Sequence, residues 1–547
     1  MDDVRADEPT ARSTNLSLWI FWLLGIGLLP LMLAASLDFG ATWDEQARHQ
    51  NGIRVFEYLV GLRDRDAAEG RGVIYPALFD VICVAAEKVF PQTDRYVLRH
   101  LVTATFGWIG ILFCGRLAGR LFGRWAGILT LVMMAMSPRY LADSMNNPKD
   151  LPFAAMSVVA LYYFSTISPR WPYISFSTGL KIALALAVGL STRPVALLYL
   201  VGYLPMVLVA LTLLGRTRAE GSLLVIDRHV EWNKLFDTVL RVAIVAIAVL
   251  LIGTLTWPWA KEAPLTRPFA ALGEAAEYGW NGAVLFNNDD WPARDLPAYY
   301  LPMWFLIGTP PVVLAGMALS LVARGDRNSI LFRLGLWGAA LTPIALIIAR
   351  NSTVYDAARH VLFVYPPMVA VAAAGWIAIL RSDTRWIRHG ALALLTVGLL
   401  NILIFNVRAY PNQAAYFNEV TGGPSGAFGK FDQDYWGNCM LQAVKWSAET
   451  AERARMPLTV WGNPNHLVWA DAARFPQLAV AERQRDFHHL ALRLNRGRAE
   501  GVRELAARPD ALHRITTPDG AVLCVVLPGP NFEELHRRLM TVEGRSS

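Results

Sequence analysis

Residues 16–36 read LSLWIFWLLGIGLLPLMLAAS, a run without a single charged side chain. About 20 apolar residues in a helix are needed to cross the hydrocarbon core of a bilayer. The stretch Leu33-Ala34-Ala35-Ser36 has the small residues of a signal-peptide cleavage site. However, the run is longer than a signal peptide requires, and the segment before it is acidic as well as basic. The run therefore predicts an uncleaved first transmembrane helix.

Runs of this kind recur along the chain. Of its 547 residues, 54% are hydrophobic and 17% are charged, and the mean hydropathy is +0.33. Soluble domains carry about 25% charged residues. Two of the runs, Ala126–Ser137 and Ile182–Thr192, are short, but short helices are tolerated where they line a protein-enclosed cavity. With them, the sequence predicts a polytopic α-helical membrane protein of about 11 transmembrane helices. The nine longer spans are Leu16–Ser36, His100–Gly115, Leu151–Ile167, Val195–Leu214, Val242–Ala260, Tyr299–Val322, Leu334–Ala349, Val361–Leu380 and Ala391–Val407.

The basic residues predict the orientation. The net charge is +7, and the arginines gather in alternate short loops at 116–124, at Arg170, and at 216–234, 324–333 and 381–388. This is the positive-inside pattern of a membrane protein, and it argues against a nucleic-acid partner. We expect residues 1–15 to be cytoplasmic and the protein to lie in the inner (plasma) membrane. An odd number of spans then places residues 409–547 in the periplasm or outside the cell.

Two regions outside the spans have a pattern of their own. The first outer loop, 37–99, holds two stretches with helical spacing, Glu45–Leu62 and Pro76–Phe90, which are typical of amphipathic helices at a membrane surface. The tail, 409–547, has the strand-like stretches Leu458–Trp461 and Ala521–Leu527 and a final helix, Phe532–Met540. It predicts a small soluble α+β domain, so the span region 16–408 and the tail form separate units.

The four cysteines do not have the spacing of a metal site. Cys114 lies in an apolar run and is expected in the core. Cys439 and Cys524 share the tail. If the tail faces an oxidising compartment they could pair, and a reduced pair is the open alternative.

The strongest chemical candidate is the acidic pair Asp44-Glu45, which follows Trp43 just beyond the first span. A carboxylate beside a membrane surface can act as a base whose pKa is raised by partial burial. The alternative is structural. Thr42 or Asp44 would cap a helix, and acidic residues are favourable in its first turn. The pair by itself does not decide between the two.

Further charged residues lie at the predicted outer ends of other spans. Lys149 and Asp150 stand against an apolar run, where a charge is usually paired or functional, although a snorkelling lysine and a helix-start acid are the alternative. Arg193 lies at a predicted outer end, where the positive-inside pattern does not expect a basic residue. An arginine can bind two oxygens of a phosphate at once. Arg359-His360 opens another span, and both arginines could also be helix-end residues that meet lipid headgroups.

The order of these motifs resembles the C-type (GT-C) superfamily of membrane glycosyltransferases, in its protein-O-mannosyltransferase-like and aminoarabinose-transferase-like branch. The resemblance covers roughly residues 14–410. It is carried by the motifs Trp43-Asp44-Glu45, Ser137-Pro138-Arg139, Asn146-Asn147-Pro148-Lys149-Asp150, Thr192-Arg193-Pro194, Arg359-His360, Tyr416-Phe417-Asn418-Glu419 and Asp434-Tyr435-Trp436-Gly437.

The resemblance implies an enzyme that takes a sugar from a polyprenyl-phosphate donor and passes it to an envelope glycan, lipid or protein acceptor, with inversion. It implies that the catalytic base is Asp44, with Glu45 as the second residue of the pair. It also implies a second outer acidic position, Asp150 or else Asp143, that holds the acceptor or a divalent metal ion of the Mg or Mn type.

The physics of an outward-facing site agrees with this. Nucleotide sugars do not reach such a site, so a lipid must carry the donor. Its phosphate needs cations at the membrane edge, for which Lys149, Arg193 and Arg359, with the adjacent His360, are candidates. We therefore expect Asp44 to come together with these cations. The alternative function is a transporter or flippase for a lipid-linked or amphipathic solute, although the chain shows no paired halves.

Overall fold

The computed structural model of the chain describes residues 11–64, 75–168, 171–214, 216–220, 223–227, 235–277 and 279–543. Most of the predicted cytoplasmic segment 1–15, parts of the loops at 37–99 and 216–234, and the last four residues lie outside the described residues.

The apolar runs form long helices. Within the described ranges, seven helices are long and apolar enough to cross a membrane. Three shorter apolar helices and one bent pair of helices accompany them, which agrees with the prediction of about 11 spans. The seven are Leu16–Ser36, Arg95–Phe122, Pro194–Leu213, Phe236–Gly253, Arg327–Ala349, Arg359–Leu380 and Arg385–Ala409, and the shorter three are Arg124–Met136, Asp150–Ser165 and Phe176–Leu190.

One predicted span is not a single helix. The stretch Tyr299–Val322 forms the helices Tyr300–Gly308 and Pro311–Val322, which meet at an angle of 113°. The break falls at Thr309-Pro310-Pro311. Thr309 is extended, with φ −98° and ψ 133°, because a residue before proline is disfavoured in the helical region. The prolines in turn donate no N–H to continue the helix.

Helix ends explain other differences. The predicted span His100–Gly115 is longer, Arg95–Phe122, because Asp94 accepts hydrogen bonds from the N–H groups of Tyr96 and Val97 at its start. It ends at Gly123, whose φ of +96° suits glycine. The predicted Val195–Leu214 is irregular: it begins as a 3₁₀ turn, Pro194–Ala196, continues as a π turn, Tyr199–Tyr203, and ends as the α-helix Leu204–Leu214.

The helix Arg359–Leu380 lies at the centre of the bundle. Of its 18-residue apolar window, 78% is buried, against 11% for Leu16–Ser36. The start of this helix, a 3₁₀ segment at Arg359–Val364, is therefore enclosed by protein. Charged residues at this end of the helix lie inside the molecule.

The loop between the first two long helices is helical where the sequence predicts it. Its helices are Glu45–Leu59 and Leu78–Val89. They cross closely at Gly52, where a Cβ would lie 2.8 Å from the carbonyl oxygen of Asp80. The two helices thus pack against each other.

Two hairpins lie in other loops. Strands β1 (Arg216–Glu220) and β2 (Leu223–Asp227) pair antiparallel, as do β3 (Ala283–Phe286) and β4 (Asp289–Pro292). The second hairpin turns through Asn287-Asn288, which have φ values of +53° and +74°. Two positive φ angles are the requirement of a type I′ turn. Short helices, Pro258–Lys261 and Arg267–Glu277, precede this hairpin.

The tail is the predicted α+β domain. Its five strands are β5 (Leu458–Asn463), β6 (Leu478–Val480), β7 (Leu490–Leu494), β8 (His513–Thr516) and β9 (Val522–Pro528). They form one sheet in the order β6-β5-β7-β9-β8, with β5 parallel to β6 and β7, and β9 antiparallel to β7 and β8. The predicted strands correspond to β5 and β9, and the predicted last helix is Phe532–Glu543. The other helices are Gly423–Ala427, Cys439–Ala454, Asn465–Ala472 and Ala499–Ala506.

A disulfide links this domain internally. Cys439, at the start of the helix Cys439–Ala454, is bonded to Cys524 on β9. The pairing that the sequence left open is thus present. It ties a helix to the sheet across 85 residues.

Candidate active site

Asp44 precedes the helix Glu45–Leu59 in the N-cap position, but its side chain makes no capping hydrogen bond. Instead, its Oδ2 atom lies 3.4 Å from Nη1 of Arg359 and 3.9 Å from Nζ of Lys149. These partners come from a segment more than 100 residues away and another more than 300 residues away. The tertiary fold therefore directs the Asp44 carboxylate toward two cations and away from the helix end.

This environment sets the pKa of Asp44. Burial favours the neutral acid, but the charges of Lys149, Arg359 and Arg48 outweigh it, and the pKa lies below its ordinary value. The expectation of a raised pKa was therefore wrong. Burial also lowers the pKa of Lys149 to about 8; Asp44 opposes that shift, whereas Arg193 and Arg359 add to it. Asp44 is thus ionised at neutral pH.

A second ion pair lies beside the first. Nη2 of Arg193 bonds to Oδ1 of Asp150. The amide of Asn147 donates to Oδ2 of Asp150 at 3.3 Å and to Oδ1 of Asp143 at 3.0 Å. Its oxygen accepts the backbone N–H of Lys149 at 3.2 Å. Asn147, which the sequence argument quoted only as part of a motif, therefore fixes both predicted acidic residues and the lysine.

Asp143 is buried among hydrogen-bond donors. Besides Asn147, its Oδ1 accepts the indole N–H of Trp436 at 2.9 Å. Burial nevertheless dominates and raises the pKa of Asp143 to about 6. Asp143 therefore keeps its proton to a higher pH than an ordinary carboxyl group does.

Glu45 has different surroundings from Asp44. Its side chain is fully buried. One oxygen accepts the backbone N–H of Thr42 at 2.8 Å and lies 3.2 Å from Nε2 of His100, and the other lies 3.7 Å from Arg99. The bond from Thr42 ties Glu45, the first residue of the helix, to the segment that precedes it. Glu45 thus anchors the start of the helix that carries Asp44.

Arg359 is held by aromatic rings and a carboxylate. Its guanidinium lies 4.9 Å from the ring centre of Tyr355 and 5.0 Å from that of Trp436. Its Nη2 is 3.0 Å from Oδ2 of Asp356. The neighbouring His360 meets the edge of Tyr355 at 4.6 Å, and its Nδ1 is buried without a hydrogen-bond partner in the part of the chain described.

A small cavity opens beside these residues at the bend between the helices Tyr300–Gly308 and Pro311–Val322. Arg139 lies in its wall, over the rings of Trp304 and Phe417 at 5.1 and 4.6 Å. Its Nε donates to the carbonyl oxygen of Tyr416 at 2.8 Å. The lining residues are Pro138, Arg139, Tyr140, Asp143, Trp304, Phe305, Gly308, Thr309, Ala357, Ala358, Arg359, Leu362, Tyr365 and Tyr435. The cavity is thus mainly apolar and aromatic, with two guanidinium groups and one carboxyl.

Sequence reasoning missed two residues of the charge cluster. Asp356 bonds to Arg359 and to Arg496 of the C-terminal domain. Its position three residues before Arg359 was a usable local signal for one of these pairs. The loop after β7 that carries Arg496 offered none, because its only relevant neighbours are distant in sequence.

The side chains present do not fit a divalent metal ion. The Asp44 carboxylate faces Lys149 and Arg359, and that of Asp150 faces Arg193. A divalent cation there would meet three positive charges. Across the described ranges, no group of three or more His, Cys, Asp or Glu side chains is placed to hold a metal.

Comparisons with known proteins give distant likenesses only. No protein-family model matches the chain, and no curated protein matches it. Among solved structures, it is similar to ArnT from Cupriavidus metallidurans bound to undecaprenyl phosphate. The identity is 13% and the TM-score 0.46, over 93% of this chain and 99% of that one. It is also similar to an oligosaccharyltransferase from Archaeoglobus fulgidus tethered with an acceptor peptide, with 11% identity and a TM-score of 0.41 over 91% and 74%.

Proposed function

We propose that this membrane protein transfers a sugar from a polyprenyl-phosphate-linked donor to an acceptor hydroxyl on the outer face of the membrane. The observation that carries the proposal is the position of the Asp44 carboxylate, between Lys149 and Arg359 and next to the Arg193–Asp150 pair. A base adjacent to a cluster of cations is what this reaction requires. The base accepts the proton of the attacking hydroxyl, and the cations stabilise the phosphate as it leaves.

In this reaction the acceptor oxygen bonds to the anomeric carbon while the bond from that carbon to the phosphate oxygen breaks. The hydroxyl proton passes to Asp44, and the electron pair of the broken bond stays on the polyprenyl phosphate. A single displacement inverts the anomeric carbon. The small, mainly apolar cavity beside Arg359 is a candidate contact surface for part of a substrate.

The low pKa of Asp44 is compatible with this role. The cations that lower it, Lys149 and Arg359, are the ones proposed to bind the donor phosphate. A bound phosphate shares their charge, so the pKa of Asp44 rises toward its ordinary value and the carboxylate becomes a stronger base. Asp44 would thus be most basic when a donor is present.

The remaining predicted residues take supporting roles. Glu45 is enclosed by His100 and Thr42, so we assign it to holding the helix start. Asp150 orients Arg193 toward the donor, and Asp143, on the cavity wall, is a candidate contact for the acceptor. The cations replace a divalent metal in this scheme.

The outward orientation has independent support. Disulfides persist in oxidising compartments, and the C-terminal domain holds one, Cys439–Cys524. That domain also contributes Trp436, which contacts Arg359. We therefore expect the candidate site to lie on the same side of the membrane as this domain, residues 409–547.

Mass spectrometry of the cell envelope, with and without the protein, tests the proposal, because a lost sugar mass identifies donor and acceptor together. We expect that mass to return with the wild-type protein and to stay absent with Asp44→Asn. Restoration by Asp44→Asn would favour a transporter, which has no need of a base. Once the sugar is known, transfer by the purified protein should persist in the presence of a chelator. A loss that Mg²⁺ or Mn²⁺ reverses would contradict the metal-free scheme.

A further inference from the structure

The C-terminal domain reaches into the candidate site at Trp43, the residue before Asp44. The ring of His466, from the helix Asn465–Ala472, meets the indole at 4.9 Å between ring centres. The guanidinium of Arg496, in the loop after β7, lies 5.9 Å from the indole centre. Trp43 thus contacts two residues of the soluble domain.

A chain of ion pairs runs from the same arginine to Asp44. Nη2 of Arg496 bonds to Oδ1 of Asp356, and Oδ2 of Asp356 bonds to Arg359. Arg359 in turn lies against Asp44. Nη1 of Arg496 also donates to the carbonyl oxygen of Tyr435 at 3.1 Å, which fixes the direction of its fork.

The backbone at Asp356 has an unusual conformation where this series of ion pairs passes through it. Asp356 and Ala357 have φ values of +56° and +63°. Left-handed conformations are unfavourable for residues with a side chain, and they persist where the surroundings impose them. Here the surroundings include two guanidinium groups, from Arg359 and Arg496, one on each oxygen of the Asp356 carboxylate.

Other contacts fix the domain over the site. Asp471 accepts the backbone N–H of Ala41 at 3.1 Å, three residues before Asp44. A Cβ on Gly40 would lie 2.9 Å from the Asp471 carboxylate, so only glycine allows this close approach. The position of Arg496 is therefore set by several independent contacts of its domain.

We infer that the C-terminal domain is part of the catalytic unit and that Arg496 is a positioning residue, which engages Asp356 so that Arg359 keeps charge for the donor phosphate. This rests on the proposed function. Each oxygen of the Asp356 carboxylate pairs with one guanidinium, so Arg496 shares the negative charge of Asp356 with Arg359. Without Arg496, the Asp356 carboxylate would pair with Arg359 by itself and would take up more of the positive charge that the donor phosphate needs.

The test measures binding of a polyprenyl monophosphate to the full-length protein in nanodiscs. Arg496→Ala should weaken binding by about tenfold, a typical coupling between contacting charged residues. In an Asp356→Asn background, the same substitution should change binding little, because no carboxylate is left to capture Arg359. Lys445→Ala is the matched control. It removes another ion pair of the same domain, to Asp38 at 3.3 Å, that does not touch the site, and it should bind normally.

The outcomes separate the two proposals. If the wild-type protein does not bind the lipid phosphate, the proposed function fails and this inference with it. If the wild type binds and Arg496→Ala binds equally well, only the role of Arg496 is overturned. An equal loss in both backgrounds would indicate general damage to the fold and would also overturn it. Should Arg496→Ala not fold, Arg496→Lys, which keeps the charge but not the two-pronged fork, replaces it, with a smaller loss expected that again disappears in Asp356→Asn.

Discussion

At the scale of single residues, Asp44 and Arg193 should differ in how their loss affects the reaction. Asp44→Asn should lower turnover by about 10²–10⁴-fold, the usual contribution of general acid–base catalysis. Donor binding should survive, because the substitution removes a negative charge from among the cations. Single-turnover transfer and donor binding, measured on the same purified variant, check this. An equal loss of both would mean that Asp44 organises the donor site.

Arg193→Ala should weaken donor binding and turnover together, and it should also lower stability. Its partner Asp150 is 2% exposed, and breaking a buried ion pair from one side costs about 3–5 kcal/mol. Adding Asp150→Asn to Arg193→Ala separates the two effects, since it removes the stranded charge. The double variant should regain thermal stability but not donor binding. Recovery of both would show that Arg193 serves only to neutralise Asp150.

At the scale of elements, the contact between the helix Asn465–Ala472 and the first loop should depend on pH. Burial raises the pKa of Asp471 to about 6, although Arg474 and the N–H of Ala41 oppose the shift. The folded state therefore binds this proton more tightly than the unfolded chain. That advantage is fully present below about pH 4 and is lost as the pH rises to about 6, which costs about 3 kcal/mol of folding free energy.

Asp471→Asn keeps an oxygen for the Ala41 N–H but cannot ionise. Its melting temperature, relative to wild type, should therefore rise between pH 4 and pH 6 in a series of thermal melts. Glu500→Gln, at an exposed position of the same domain, is the control and should run parallel to wild type. A parallel curve for Asp471→Asn would contradict the expected linkage.

At the scale of the whole molecule, the prediction is topological. Leu62, in the first loop, and Glu482, in the C-terminal domain, are exposed and should face outside, whereas the exposed Arg324 should face the cytoplasm. Cysteines placed there should react with an impermeant maleimide in right-side-out vesicles for the first two, and in inverted vesicles for the third. The native Cys83 and Cys114 are buried and provide a low background. Labelling of Leu62→Cys and Glu482→Cys from opposite sides would put the first loop and the soluble domain on different sides of the membrane and would contradict the prediction.

The architecture of the chain could be predicted from its sequence. Hydropathy is a local property of the chain, so the charge-free run at 16–36 and its successors predicted helices that the structure confirms. Strand composition likewise predicted β5 and β9. Even the error at Tyr299–Val322 had a local cause, since Pro310-Pro311 stood in the sequence as a sign of the break.

The environment of the candidate site could not be predicted from the sequence, because it depends on contacts between distant segments. The sequence offered Asp44, Lys149 and Arg359 as separate candidates. Burial alone predicted a raised pKa for Asp44, whereas the cations around it lower that pKa. Electrostatic energy depends on distance in space, and only the folded chain places two cations within 4 Å of Asp44. The same holds for Arg496, whose partner Asp356 lies 140 residues away. Short-range patterns encode which segments form helices and strands, whereas the charges that tune the candidate base are brought together by packing between distant segments.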